Sequence, residues 1–206
     1  MGIYYISTNK GKCASVIEQA QEKNIDVKCM ALEIEELEIE DVGIVSLDKA
    51  HKAYEQIKEP CFVEDSGFYI DAYPGKKNFP GTLVKRSGIS TNIENLLETM
   101  KDVKNRNCRF ISCVTYYEDG YYKQFFSISE GVLTTEIRGN LNEKARSRLW
   151  EVFIPKGYQK TLAEMTDEER KKRRQTEEKS AFSQFLDWYQ QNKMNTIKQK
   201  CKVNKM

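Results

Sequence analysis

The sequence is poor in the residues that build metal centres and membrane segments. Its 206 residues include one histidine, His51, and six cysteines, none of them in a CxxC pair. Structural zinc usually takes four cysteine or histidine ligands, so no zinc site is predicted. No apolar run approaches the roughly 20 residues that span a bilayer, and the first residues read as a strand entering a polar loop rather than a signal peptide. We therefore expect a cytoplasmic protein with reduced thiols and no membrane segment.

An excess of charge of one sign is also lacking. The 33 lysines and arginines nearly balance 31 acidic residues, for a net charge of +2, so bulk electrostatics do not favour nucleic acid as a partner. Hydrophobic residues make up 39% and charged residues 31%, which is typical of a folded globular chain. We expect one domain over residues 1–191, with two lobes about a cleft, and a flexible basic tail at 192–206.

Short apolar runs and amphipathic segments alternate along the chain, which favours an α/β fold. The predicted strands are 3–7, 27–32, 61–64, 108–117 and 122–134. The predicted helices are 13–23, 46–57, 92–103 and 180–191. Ser46 is a plausible N-cap for the second helix, and Glu118-Asp119-Gly120 is a typical hairpin turn. The strand–loop–helix–strand opening indicates a crossover unit.

The most informative segment is Cys61–Ala72, in which an apolar strand meets two adjacent acids. Glu64 and Asp65 are followed by Ser66-Gly67, which we expect to form a turn. Neighbouring unpaired carboxylates repel, so Mg²⁺, lysine or arginine is expected to hold them. Asp65 is the best single candidate for a general base or metal ligand.

Basic residues near this segment point to phosphate. Lys12 follows a strand and a glycine at the start of a predicted helix. Backbone N–H groups and an ammonium at such a position attract anions. The same pattern also fits an ordinary surface lysine. A Walker A loop is absent. Lys85-Arg86 closely follow Pro80-Gly81. Together with the acids, this order indicates a site for a metal-bound polyphosphate.

Two charged segments leave alternatives open. The acids at 35, 36, 38 and 40 are either a solvated strand edge or a source of one Mg²⁺ ligand. The run from Asp167 to Lys179 is either a solvated mixed-charge helix or loop, or a basic patch through Arg170–Arg174 that binds phosphate or a partner.

In this order, and over most of the chain, the motifs resemble those of the inosine triphosphate pyrophosphatases, which cleave non-canonical purine nucleoside triphosphates such as ITP, dITP and XTP. The family's T-G-N-x-x-K loop is similar to Ser7–Lys12, and its E-D-[ST]-G to Glu64–Gly67. Its P-G-x-x-x-[KR] turn resembles Pro80–Lys85. The long motif F-x-P-x-G-Y-x-x-T-x-A-E-M is matched by Phe153–Met165.

The resemblance implies an elongated mixed β-sheet flanked by helices, with the nucleotide in a cleft between two lobes, and a homodimer. It implies that Asp65 is the catalytic carboxylate with Glu64 beside it, and that Glu36 or Glu38 completes an Mg²⁺ site with them. The residues that it implies for binding the substrate are Asn9, Lys12, Lys49, Ser66, Lys85, Trp150, Glu151, Lys179, Ser183 and Gln184.

The base-side motifs depart from the family. Its F-G-[WY]-D reads Arg148-Leu149-Trp150-Glu151 here, so the aspartate that orients the nucleotide is replaced by the longer Glu151. Its E-K-x-x-x-S-H-R keeps Lys179 and Ser183, but Gln184 and Phe185 stand where His and Arg read the 6-oxo group. An arginine fork on a buried carbonyl contributes about 1.5–3 kcal/mol. Gln184 can offer an amide N–H to a 6-oxo group or its C=O to a 6-amino group.

Three functions fit this pattern. The first is an active Mg²⁺-dependent (d)ITP/XTP pyrophosphatase with altered pocket residues. The second, which the eroded base motif favours, is a weakly active or inactive relative that binds dITP or ITP as a sensor and signals to a partner. Kongming-type antiviral defence pairs such a relative with a sirtuin-like NADase, so a hetero-oligomer with an NADase effector is expected in that case. The third is a purely structural or interaction protein on the same fold.

Overall fold

The computed structural model describes residues 2–176 and 179–203, which form a seven-stranded sheet flanked by helices. The strands are β1 (Ile3–Ile6), β2 (Val27–Met30), β3 (Cys61–Ile70), β4 (Phe79–Gly81), β5 (Asn107–Glu118), β6 (Tyr121–Leu133) and β7 (Phe153–Pro155). The helices are α1 (Lys10–Gln21), α2 (Val42–Ile57), α3 (Val84–Ser87), α4 (Ile93–Thr99), α5 (Asp167–Thr176) and α6 (Ala181–Val203), with a 3-10 turn at Arg148–Glu151. Among these residues, no helix has the length and apolarity needed to cross a bilayer.

The sheet is mixed, as predicted. Its order is β2-β1-β3-β5-β6-β7, with β4 paired to β3. The β2-β1-β3 part is parallel and follows from the opening crossover unit, in which α1 joins β1 to β2. All other pairings are antiparallel, and the predicted hairpin connects the two longest strands, β5 and β6.

Two hydrophobic cores lie along one face of the sheet, separated by polar residues. Successive strand residues point to opposite faces, so Phe62, Glu64, Ser66 and Phe68 of β3 share a face. Phe62 belongs to a core formed with α1 and α6, and Phe68 to a core formed with α4, β7 and the 153–165 segment. Between the cores, cross-strand register aligns the serines Ser66, Ser112 and Ser127 in a row over β3, β5 and β6.

The opposite face of β3 packs against α2. Ala50 and Ala53 of that helix are fully buried against Cys61 and Val63. Because small alanines let the helix approach closely, its polar side chains reach the edge of β3 near Asp65. The same packing buries Ser46, whose hydroxyl bonds to that of Thr115 at 2.7 Å.

The edge of β3 is open where the acids lie. On that side, β3 pairs with β1 at Cys61 and Phe62, and with β4 only from Phe68 onward. The intervening residues 63–67 have a strand neighbour only on the β5 side. Side chains from both faces of the sheet therefore reach the same gap.

Several predicted element boundaries were wrong. Glu64-Asp65-Ser66-Gly67 is not the end of a strand with a turn, because β3 continues to Ile70. Helix α2 begins at Val42 with Asp41 as its N-cap, so Ser46 is an interior residue rather than the cap. Helix α1 begins at Lys10, and α6 continues past the predicted end at Gln191 to Val203. The charged 167–179 run is helical to Thr176, and residues 177–178 lie outside the described residues.

Candidate functional site

A cavity of about 830 Å³ opens at the bare edge of β3 and over the serine row. It lies between the two hydrophobic cores, where the sheet face carries the serine row. Most of the predicted site residues line it, namely Asn9, Lys12, Glu36, Glu38, Lys49, Glu64, Asp65, Ser66, Lys85 and Trp150. A volume of this size is typical of a small-molecule site.

Asp65 meets Lys49 on the α2 side of the cavity. Lys49 Nζ lies 3.2 Å from Asp65 Oδ2 and 2.7 Å from Glu36 Oε1. Burial favours the neutral form of Lys49, but the two carboxylates outweigh it and raise the pKa of its ammonium. Burial likewise opposes the charge on Glu36, and Lys49 nevertheless lowers the pKa of its carboxyl. A cation bridging two acids is thus built into the site.

Glu64 points to the other face and has a different partner. Arg146 Nη1 donates to Glu64 Oε1 at 2.9 Å and to Oε2 at 3.2 Å, and Glu64's side chain is only 4% exposed. Burial alone would raise the pKa of Glu64, but Arg146 and then Lys12 lower it. The predicted paired-acid corner is therefore divided: adjacent strand residues face opposite ways, and each acid has its own cation.

Arg146 is a site residue that the sequence did not single out. It lies in an irregular segment before the 3-10 turn, far along the chain from Glu64, and no motif marks it. Its Nη2 also donates to Ser15 Oγ of α1 at 3.3 Å. Burial opposes its charge, but the Glu64 carboxylate raises the pKa of its guanidinium. The sequence shows an arginine before Ser147 but no pattern that marks it as a site residue.

Lys12 and Asn9 connect α1 to this centre. Lys12 Nζ donates to the backbone oxygen of Glu64 at 3.2 Å and to Ser66 Oγ at 3.5 Å, using the open edge of β3. Burial lowers the pKa of Lys12, and the carboxylates of Glu64 and Asp65 offset only part of this. Asn9 accepts from the Lys12 N–H as N-cap and donates to the Arg146 carbonyl at 3.2 Å. Asn9 thus positions both cations.

Lys85 and Glu38 lie at the mouth of the cavity. The Lys85 side chain is 80% exposed, and its Nζ lies 3.6 Å from Glu36 Oε1. Glu38 pairs with Arg86 and is 60% exposed. Lys85 is therefore placed to contact an incoming anion, while Glu38 pairs with a surface arginine rather than with the Asp65 centre.

A divalent cation would have few protein ligands here. Within the described residues, no group of three or more His, Cys, Asp and Glu side chains is placed to hold a metal. Mg²⁺ at polyphosphate sites typically takes one or two carboxylates, with phosphate and water oxygens supplying the rest. Asp65 and Glu36, which already share one cation, fit that donor set. Glu64 does not, because Arg146 occupies both of its oxygens.

The predicted base-side residues are only partly brought together. Trp150 lines the cavity, but Glu151, Lys179, Ser183 and Gln184 are outside the lining formed by the described residues. Glu151 pairs with Arg148 at 2.9 Å, and Lys179 pairs with Asp187 at 2.8 Å.

Gln184 and Ser183 are outside the cavity lining, although Ser180, Ala181 and Phe182 at the start of α6 belong to it. Gln184 Nε2 donates to the backbone oxygens of Phe126 at 2.7 Å and Lys179 at 2.8 Å, so both amide hydrogens have protein acceptors. Ser183 uses its backbone N–H on Ser180 Oγ. Phe185, at the position of the family arginine, is fully buried against the Phe62 ring, with centroids 4.4 Å apart. The start of α6 therefore packs in the core through Phe185 and contributes Ala181 and Phe182 to both the core and the cavity wall.

Helix α5 brings two arginines to the cavity instead. Arg170 places its guanidinium 5.3 Å from the Trp150 ring centroid and donates to the Leu162 and Met165 carbonyls. Arg173 lines the cavity one turn further on. The predicted basic patch at 170–174 thus includes two cavity residues, whereas the side chain of Arg174 lies outside the described residues.

Comparison with known sequences gives a consistent result. The sequence profile described as the Ham1 family matches residues 3–188. A protein of Saccharolobus solfataricus named dITP/XTP pyrophosphatase is 29% identical over 183 residues, covering 89% of this chain and 91% of its own. A protein of the same name from Aquifex aeolicus is 32% identical over 192 residues, covering 84% and 89%.

Solved structures agree on the fold. A HAM1 protein from Coxiella burnetii superposes with a TM-score of 0.72 at 21% identity, covering 95% of this chain and all of its own. The Ham1 protein of Staphylococcus aureus gives a TM-score of 0.70 at 16% identity, covering 92% and 98%. At these identities the likeness shows the fold alone, and it matches the mixed sheet flanked by helices described above.

Proposed function

The chain belongs to the Ham1 family, and we propose that it binds non-canonical purine nucleoside triphosphates of the dITP/ITP type in the cavity at the β3 edge. The observation that carries the proposal is the convergence of Lys12 and Lys49, from helices on opposite faces of the sheet, on the Glu64–Asp65 edge. The names of the relatives from Saccharolobus solfataricus and Aquifex aeolicus support this class of ligand.

Electrostatics favour a polyanion over a neutral ligand at this edge. Burial lowers the pKa of Lys12, and its nearest carboxylate oxygen, Glu64 Oε2, lies 3.9 Å away and is shared with Arg146. Phosphate oxygens close to Lys12 would favour its charged form. Lys85, exposed at the mouth, adds a further positive charge for the terminal phosphates.

We propose that Asp65 and Glu36 are the protein ligands of a nucleotide-bound Mg²⁺. Glu64 is not a ligand, because Arg146 binds its carboxylate. Bound there, Mg²⁺ would offset negative charge on the phosphoryl oxygens. Two protein contacts orient Asp65. Lys49 pairs with its carboxylate, and the Ser66 N–H donates to Asp65 Oδ1 at 3.1 Å. A carboxylate fixed in this way can accept a proton from a water beside it.

We further propose that this chain is a sensor with weak or no turnover, which signals to a partner effector of the NADase type. The supporting observation is that residues of the base-side motifs bind other protein groups. Glu151 forms an ion pair with Arg148, and the Gln184 amide donates to backbone carbonyls. Catalysis depends on holding the substrate within fractions of an ångström of the reactive geometry, so rebuilt base contacts reduce turnover before they abolish binding.

An active pyrophosphatase that releases the monophosphate and pyrophosphate is the second candidate. It is favoured by Asp65, whose carboxylate lines the cavity and is already oriented by Lys49. The two candidates share the binding site and differ in the rate of turnover and in the presence of a partner effector.

One pair of measurements tests both. Calorimetry with dITP should give a binding signal, and its absence contradicts the nucleotide proposal. Release of pyrophosphate from dITP and Mg²⁺ at about 1 s⁻¹ or faster would overturn the sensor proposal in favour of the enzyme. Asp65→Asn is the control: it should remove any hydrolysis while leaving dITP binding detectable.

A further inference from the structure

Two cysteines lie together at the margin of the core that α1 and α6 form on the sheet. Cys13 is near the start of α1 and Cys29 is on β2, an edge strand, and both pack against this core while remaining half-buried. Register pairs Cys29 with Tyr5 of β1, and the Tyr5 ring is in the same core. Since paired strand residues share a face of the sheet, Cys29 faces α1.

The thiol of Cys13 extends from α1 toward β2. Its Sγ donates to the backbone oxygen of Ser7 at 3.7 Å, and the Ser7 N–H in turn donates to the carbonyl of Met30, the residue after Cys29. The Cys29 thiol is hydrogen-bonded to that of Cys13. Burial and then this neighbour raise the pKa of Cys29 to about 12. The two sulfurs are therefore in contact without a covalent bond.

The other cysteines with described side chains do not form such a pair. Cys61, Cys108 and Cys113 are fully or almost fully buried in the sheet, and burial raises the pKa of each of their thiols. Oxidants react with accessible thiolates, so these three are expected to be inert. Among the described thiols, only Cys13 and Cys29 combine partial exposure with a neighbouring sulfur.

We propose that Cys13 and Cys29 are a redox pair, which hydrogen peroxide converts into a disulfide that joins α1 to β2. The Cys13 sulfur attacks the O–O bond of the peroxide, which gives a sulfenic acid and releases one water. The Cys29 sulfur then attacks the sulfenic sulfur, so that an S–S bond forms, the S–O bond breaks and a second water leaves. The two sulfurs lose two electrons, which the peroxide takes up. A dithiol reductant reverses the reaction.

The disulfide would act on the phosphate side of the cavity, an effect that rests on the proposed function. Bond formation brings the two sulfurs to about 2.05 Å, well below a non-bonded contact, so the start of α1 is drawn toward β2. In the sheet, β1 separates β2 from β3, so this movement is away from Glu64. Lys12 directly precedes Cys13, and its Nζ is 3.2 Å from the Glu64 backbone oxygen. The movement therefore displaces Lys12.

Peptide mapping after peroxide treatment tests the pair itself. Trypsin separates the two cysteines, because Lys23 and Lys28 lie between them. Mass spectrometry under non-reducing conditions should find their two peptides joined in the wild type, and dithiothreitol should separate them. Cys13→Ser and Cys29→Ser should each abolish the joined species. Cys201→Ser, whose side chain lies outside the described residues, is the control and should retain it. Cross-links to other cysteines, or sulfinic acids without a cross-link, would overturn the proposal.

Calorimetry with inorganic tripolyphosphate tests the effect on the cavity. The oxidised wild type should bind about tenfold more weakly than the reduced protein, which corresponds to the loss of one charged hydrogen bond. Cys29→Ser, given the same peroxide treatment, should keep the affinity of the reduced protein. An unchanged affinity in the cross-linked wild type would overturn the link between the disulfide and Lys12. If the reduced wild type does not bind tripolyphosphate, the phosphate side of the proposed function fails, and the peptide map still decides the redox pair.

Discussion

At the scale of single residues, the site is a set of ion pairs that divides neighbouring acids between two faces of a strand. Glu64 and Asp65 are adjacent in sequence but bind Arg146 and Lys49 respectively. Both carboxylates are largely buried, so each needs its cation in place. The arrangement holds Asp65 toward α2 and leaves Lys12 over the strand edge.

Removing Arg146 alone should lower the free energy of unfolding more than removing the charges of both Arg146 and Glu64. Arg146→Met leaves Glu64 buried without its main partner, and breaking a buried pair in this way costs about 3–5 kcal/mol. The double variant Glu64→Gln/Arg146→Met removes both charges and should recover most of that loss. Urea unfolding of the two variants and of Glu64→Gln measures the coupling. Equal destabilisation by Arg146→Met and the double variant would contradict the pairing.

The same pair predicts an acid limit to stability. Despite burial, which would raise it, the pKa of Glu64 is lowered from its ordinary 4.5 by Arg146 and Lys12. Since the folded value lies below the unfolded one, its contribution is present above about pH 4.5 and is lost as pH falls through the lowered folded pKa. Unfolding free energies measured from pH 7 to pH 3 should fall less steeply at the acid end in Glu64→Gln/Arg146→Met than in the wild type.

At the scale of elements, the start of α1 is fitted against the segment that carries Arg146. A Cβ on Gly11 would lie 2.5 Å from the carbonyl oxygen of Ala145, which is closer than real contacts allow. Asn9 caps the helix and bonds to the Arg146 carbonyl beside it. The glycine before Lys12 thus permits the close approach of two distant segments.

Gly11→Ala should therefore affect both stability and binding. The clash is with backbone, which cannot rotate away, so we expect a cost of about 1–3 kcal/mol. Displacement of the 144–146 segment should also weaken the affinity for tripolyphosphate, because Arg146 and Lys12 lose their alignment. Lys10→Ala, an exposed change on the same turn, is the matched control and should alter neither quantity. If Gly11→Ala has the same stability and the same tripolyphosphate affinity as the wild type, the close approach at Gly11 is not required.

At the scale of the whole molecule, the cavity is the gap between two hydrophobic cores that share one sheet. The first core packs α1 and α6 on the sheet, and the second packs α4, β7 and the 153–165 segment. The polar serine row lies between them and cannot be buried by apolar side chains. A ligand that contacts residues from both sides should make the two halves unfold together.

A bound nucleotide should raise the melting temperature measurably. At a concentration of 100 Kd, a ligand that binds only the folded state adds about 2.7 kcal/mol. For a chain of this size, that corresponds to roughly 5–10 °C. Differential scanning calorimetry with dITP, and with tripolyphosphate as a control lacking the base, measures it. Equal shifts with both ligands would indicate that contacts to the base contribute nothing.

The assembly also belongs to this scale and stays a prediction. Phe126, Ile128 and Val132 of β6 are exposed on one face of the sheet, and Ile44 of α2 is 51% exposed. An apolar strip of this kind supports the homodimer that the family resemblance implies. Ile128→Asp should shift sedimentation toward a monomer if the strip is the interface.

The amino-acid sequence by itself indicated an α/β chain, and it singled out acidic and basic residues that the structure places around one cavity. Local patterns suffice there, because Lys12 follows a strand at a helix start and the acids lie within an apolar run. It did not determine the end of β3, since Ser66-Gly67 reads as a turn until the neighbouring strand β5 pairs with it.

Only the tertiary structure decided which cation each acid meets and which residues of α5 reach the cavity. Arg146 lies 82 residues from Glu64, and Arg173 lies 44 from Ser129, so neither contact has a local signal. The α6 residues that the motif assigned to the base instead follow the packing of Phe185 into the aromatic core. Burial of one large ring fixes the rotation of a helix, and with it the direction of every polar side chain beside that ring.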